Sequence, residues 1–162
     1  MIDQIIEILI VVISGVVGTF GIVLLFGAEN KNIPWTLLAA ALTGAAYEIA
    51  FRMGAGYFFA SFIAAAIVAA YSDVMAHLLK TPATVIITAG IVPLVPGGML
   101  YYTMLGAVKS DIAMFSEKGK GVLLIAAGLA VGVIAVTAIS RPINAKLGEI
   151  VTKGVHHAKK DK

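Results

Sequence analysis

Between Met53 and Val108 the chain carries two charged residues, Asp73 and Lys80. No water-soluble fold of this size could cover such a stretch, because a small domain leaves a large share of its surface in solvent. The rest of the chain is similar, with 60% apolar residues, 13% charged residues and 17 glycines. A soluble domain has about 25% charge and roughly 45–50% apolar residues with glycine counted. A soluble globular enzyme is therefore excluded, and so is a disordered chain, which needs the opposite balance. At about 20 apolar residues per bilayer crossing, 60% of 162 residues gives close to five crossings.

The chain has no cysteine, which removes disulfides, thiol nucleophiles and thiolate metal sites. The net charge is +3, but the basic residues collect at the C-terminal tail rather than over a soluble face. Membrane topology explains them, and no nucleic acid is expected as a partner.

The apolar runs place spans at about 5–26, 33–51, 57–79, 83–106 and 121–139, within a transmembrane domain covering 1–140. The first run starts with Asp3 and Glu7 and lacks the basic segment of a signal peptide, so it is expected to be retained. Pro34 suits the first turn of the second helix, and Trp35 suits the membrane interface. Arg52 and Gly54-Ala55-Gly56 end that run, and Lys80-Thr81-Pro82 end the third. A polar stretch from Lys109 to Lys120 precedes the fifth. Small residues mark packing faces: Gly15, Gly18 and Gly21; Ala60, Ala64 and Ala65; and the GxxxG pair Gly128 and Gly132.

Five spans put the termini on opposite sides. Lys31, Lys80 and the six basic residues from Arg141 onward then share one side, against Arg52, Lys109, Lys118 and Lys120 on the other. The positive-inside rule puts the C-terminus in the cytoplasm and the N-terminus outside. A re-entrant fourth run would change this count. In the tail, 141–162, Ile143, Leu147, Ile150, Val151 and Val155 fall near helical spacing with lysines between them. This predicts a cytoplasmic amphipathic helix on the lipid surface. His156-His157 beside Lys159 and Lys160 reads as a solvated basic end near anionic headgroups rather than a metal site.

The strongest local signal is Pro93-Leu94-Val95-Pro96-Gly97-Gly98, in the middle of the fourth run. Pro93 cannot donate to the carbonyl of Ala89, nor Pro96 to that of Val92, and each ring clashes one turn back. Gly97 and Gly98 remove side-chain shielding. The segment predicts a helix broken near the bilayer midplane, a backbone state that survives only in protein or beside a wet cavity. The half beginning at Gly97 would offer N–H groups and a positive dipole end to a carboxylate, and the carbonyls of Ala89 and Val92 could take a cation. Tyr101 and Tyr102, a turn further on, could line the same cavity. The alternative is a proline kink that only shapes packing.

The stretch Leu79-Lys80-Thr81-Pro82, with Gly90-Ile91-Val92-Pro93-Leu94-Val95-Pro96-Gly97-Gly98-Met99-Leu100-Tyr101, resembles the membrane domain of the threonine/serine exporter (ThrE) family. It is most similar to the small subunit of the split, two-chain version. The resemblance implies export of small amino acids or, in some two-chain members, dicarboxylates such as succinate. It also implies a larger partner subunit carrying its own spans and a soluble region, which is absent here.

Two intramembrane carboxylates are candidates for proton coupling. Asp73 has His77 four residues on, a possible carboxylate–imidazole relay, or an edge pair that reaches for water or Lys80. Glu48 has Arg52 at the same spacing, which favours a local ion pair over a place on the transport path. No HExxH, GxSxG or paired-carboxylate arrangement appears, so neither an enzyme nor a cofactor is expected. The sequence thus reads as an all-α polytopic membrane protein. It would be the small subunit of a proton-coupled exporter of a carboxylate-bearing metabolite, with Pro93, Pro96, Gly97 and Gly98 at the binding site. The rival is a non-transporting assembly subunit whose broken helix docks a partner. Copy number, including a homo-oligomer, stays open.

Overall fold

The computed structural model describes the backbone of residues 2–26 and 31–160 and the side chains of residues 6–26 and 31–140. Among the described residues six α-helices follow one another: α1 (Ile2–Leu25), α2 (Ile33–Ala50), α3 (Gly56–Leu79), α4 (Ala83–Gly90), α5 (Gly97–Val108) and α6 (Ile112–Lys160). A π-helical turn at Phe51–Ala55 joins α2 to α3, and a 3₁₀ turn at Val92–Leu94 lies between α4 and α5. Among the described residues there is no strand. Helices are what a bilayer requires, since each satisfies its own backbone.

Among the described residues three stretches are long and apolar enough to cross a membrane: Ile6–Leu25, Ile33–Leu79 and Ile112–Ser140. The bent pair α4–α5 makes a fourth if it is taken as one span. The second stretch, of 47 residues, folds back on itself. Gly54 and Gly56 take φ of 89° and 69°, a left-handed backbone that a Cβ would strain. The Tyr71 hydroxyl then donates to the Trp35 carbonyl at 3.1 Å, 36 residues away, so α3 runs back along α2. Pro34 occupies the first turn of α2, as its missing N–H allows.

Small residues let α3 and α6 touch backbone to backbone. Ala60, Ala64 and Ala65 of α3 are fully buried. A side chain on Gly132 would meet Phe62 O at 2.7 Å and Ala65 Cβ at 2.8 Å, and one on Gly128 would strike Phe58 O. The GxxxG pair is therefore a helix–helix contact within the chain. Gly132→Leu is expected to lower stability by about 1–3 kcal/mol or more through overpacking, seen as a lower unfolding temperature in detergent. Gly18→Leu, with nothing within 4 Å of the added carbon, is expected to leave that temperature unchanged.

Two expectations change. The last helix does not start with its apolar run at Gly121: α6 begins at Ile112 and takes in most of the polar stretch before it. Asp111 accepts the Met114 N–H at 3.0 Å and caps that start, and glutamate and lysine are good helix formers. The backbone of 141–160 continues α6 through Pro142 rather than starting a separate helix. The amphipathic face expected for the tail lies outside the described side chains.

The packing also fixes directions. Gly121 lies near Tyr57, and Gly132 beside Ala65, so α6 runs parallel to α3. Residue 140 therefore falls at the same end as Lys80. Gly106, Thr103 and Met99 meet Phe115, Gly119 and Gly121 in turn, so α5 runs antiparallel to the first turns of α6.

Candidate functional site

The fourth apolar run is broken where the prolines fall. α4 stops at Gly90, α5 starts at Gly97, and their axes are bent by 55°. Within the break Val95 is extended, and Pro96 has φ −78° and ψ 57°. The freed backbone groups are bonded locally. Leu94 N–H donates to Ile91 O at 2.8 Å, Val95 N–H to Val92 O at 3.1 Å, and Gly97 N–H to Val95 O at 2.8 Å. The Gly97 amide and Val92 carbonyl, both named from the sequence as ligand groups, are thus engaged inside the break. Gly98 and Met99 contribute the first-turn amides of α5. Gly97 and Gly98 are exposed, and a Cβ on either would meet nothing within 4 Å. Packing does not require glycine at these two positions.

Pro93 wedges the break into the bundle. A methyl group on Gly15 of α1 would lie 3.0 Å from Pro93 Cβ, and one on Gly44 of α2 would lie 3.8 Å from it. Leu94 beside it is buried. On the Lys80 side of this wedge, a cavity of about 520 Å³ opens along α4 as far as Ala89. That volume is in the usual range of small-molecule sites.

The cavity has two kinds of wall. Ile22, Val23 and Phe26 of α1 make it apolar on one side. Opposite stand Lys31, Asn32 and Thr36 from the start of α2, and Lys80, Thr81, Thr84 and Thr88 around α4. Lys80 is placed by the left-handed cap of α3, with φ 51° and its N–H on Ala76 O. The Thr81 hydroxyl reaches Asn32 Oδ1 at 3.3 Å, tying the α3–α4 turn to the start of α2. Thr36 donates to Asn32 O at 2.9 Å. Thr84 and Thr88, one turn apart, present hydroxyls with no hydrogen bond among the described residues. Two ammonium groups with several hydroxyls and an amide suit a small carboxylate bearing further polar groups.

The other residues named from the sequence are placed elsewhere. Pro93, Pro96, Gly97 and Gly98 form the break but do not line the cavity. Tyr101 and Tyr102 are 63% and 48% exposed on α5, edge to face at 5.4 Å, and do not line it either. Asp73 Oδ2 is buried with no hydrogen-bond partner, as is Ser72 Oγ. His77 is exposed, and no bond joins it to Asp73. Glu48 makes the pair with Arg52 that the spacing predicts, at 3.2 Å, and Arg52 also reaches Glu7 of α1 at 3.0 Å.

The polar wall was missed in the sequence. Thr81, Thr84 and Thr88 carried a weak signal, three hydroxyls at helical spacing, but Asn32 and Thr36 come from a distant segment.

A family model described as "Threonine/Serine exporter, ThrE" matches residues 11–139. The chain belongs to the threonine/serine exporter family. No curated protein and no solved structure matches it. ThrE is a transporter family rather than an enzyme family. The ThrE match covers α1 through the apolar part of α6, so it includes both the break and the cavity.

Proposed function

We propose that this chain is the membrane subunit of a secondary exporter. It moves threonine, serine or a dicarboxylate such as succinate out of the cell, together with a larger family subunit. The observation that carries this reading is the cavity along the first half of the broken helix, with Lys80 and the threonines on its polar wall. Such half-helices beside a polar cavity are the usual construction of secondary transporters.

The chain crosses five times in this reading: α1, α2, α3, α4 with α5, and α6. The parallel course of α3 and α6 supports it, because the basic residues from Arg141 onward then join Lys31 and Lys80 at one end. The positive-inside rule makes that end cytoplasmic. The cavity thus opens to the cytoplasm and takes substrate from there. Its carboxylate meets Lys80, and its remaining polar groups meet Thr84 and Thr88. Substrate leaving the cavity passes the break, where the amides at the start of α5 receive the carboxylate next.

Asp73 carries the coupling proton. Its Oδ2 is buried and bonded to no neighbour, which leaves it open to a proton in transit. Asp73→Asn is expected to abolish the dependence of transport on a pH gradient while leaving exchange intact. Unchanged dependence removes Asp73 from the scheme.

The reading itself is tested by counterflow of labelled threonine, serine and succinate in vesicles holding this chain with its partner subunit. Counterflow of at least one establishes export. No counterflow of any, from a complex that assembles, gives the chain a scaffolding role instead.

A further inference from the structure

Of the three stretches long enough to cross a membrane, the one in α1 is the least buried. Its residues Leu9, Ile10, Ile13, Val17 and Leu24 are each more than half exposed. It meets the bundle at three levels. At the end away from the cavity, Glu7 pairs with Arg52, which Glu48 holds from the other side. Midway, Gly15 rests on Pro93, and a Cβ on Gly44 would lie 3.8 Å from Val12. At the third level Val23 is buried, and the cavity lies between Ile22, Val23 and Phe26 and the helices opposite.

The geometry points to α1 as a lever rocking on Pro93, with Arg52 as the latch that keeps its far end shut while the cavity is open. This rests on the export reading above and says which parts move. Glu7 and Val23 each lie eight residues from Gly15, so the two arms are equal. At 1.5 Å per residue each arm is about 12 Å, and a tilt of about 20° carries the two ends about 4 Å in opposite directions. That motion narrows the cavity and parts the 3.0 Å contact of Arg52 with Glu7.

The fulcrum is built for such a motion. Gly15 presents no side chain, so α1 can pivot on a smooth proline ring without interlocking. The latch is suited to opening too. The Glu7 side chain is 65% exposed, and an exposed ion pair is weak and screened. Glu48 is on the same hairpin as Arg52 and only 17% exposed, so it keeps the guanidinium in place when Glu7 leaves. Arg52 is in this sense a positioning residue, acting on the path through α1.

The test uses paired spin labels on the full chain in lipid vesicles. The natural chain has no cysteine to remove. One pair, Ile6→Cys with Met53→Cys, reports the latch end. The other, Phe26→Cys with Val85→Cys, reports the cavity end. Arg52→Gln is expected to lengthen the first distance and shorten the second by about 4 Å each, for the lever arms given above. Arg52→Lys, which keeps a cation, is expected to leave both near the unsubstituted values. Glu7→Gln cuts the same pair from the exposed side and gives the same reciprocal shift should Arg52→Gln fold poorly. Movement at one end alone, movement of both in the same sense, or no movement overturns the lever. These distances need no substrate, so they stand or fall separately from counterflow, whose failure would strike the export reading alone.

Discussion

Lys80→Met is expected to weaken export of a carboxylate substrate by about 10- to 100-fold. The effect should enter through the KM of counterflow, with the maximal rate largely kept. The size follows from losing one hydrogen bond to a charged group, about 1.5–3 kcal/mol. Methionine retains the length of the side chain, and the backbone bond that caps α3, from Lys80 N–H to Ala76 O, does not involve it. The fold should therefore be untouched. Thr88→Val is expected to cost less, several-fold, because a neutral hydroxyl contributes about 1 kcal/mol. A KM unchanged by Lys80→Met would remove this lysine from the substrate site.

Gly97→Leu is expected to abolish export while insertion and stability are preserved. Nothing lies within 4 Å of the added Cβ, so no overpacking follows, and leucine in place of glycine favours the helix by up to about 1 kcal/mol. What changes is access: a branched side chain now stands over the first-turn amides of α5, where the carboxylate is received. The two measurements are counterflow rate and unfolding temperature. A normal rate would show that the break shapes packing only, as a proline kink does elsewhere.

The break was legible because its cause is local. Pro93 and Pro96 cannot donate, whatever surrounds them, and the chain bonds them as those rules require. The start of α6 was not legible from charge alone. The residues from Ile112 to Lys120 look like a loop by polarity, yet Asp111 caps them and no residue among them stops a helix. The Asp73–His77 pair fails for a geometric reason. Residues four apart on a helix are turned by about 40° from one another, enough at the edge of a bundle to bury one and expose the other. The cavity is the least local feature. Asn32 and Thr36 meet Thr81, Thr84 and Thr88 only because the hairpin at Gly54 brings the start of α2 beside the end of α3.

The length of α6 has a consequence for where the waterline runs. Its apolar stretch, Ile112–Ser140, has 29 residues, against 20 for that of α1. At 1.5 Å per residue these are about 43 Å and 30 Å, and the hydrocarbon layer is about 30 Å deep. On the five-crossing reading proposed above, the part from Gly121 onward would fill that depth, and the turns carrying Glu117, Lys118 and Lys120 would rise above it. α5 is packed along those turns, so on that reading its first turn stays within the layer and its later turns reach the headgroups. That places the exposed rings of Tyr101 and Tyr102 in the zone such amphipathic aromatics favour. On that reading the two rings moor this end of the protein in the headgroup layer.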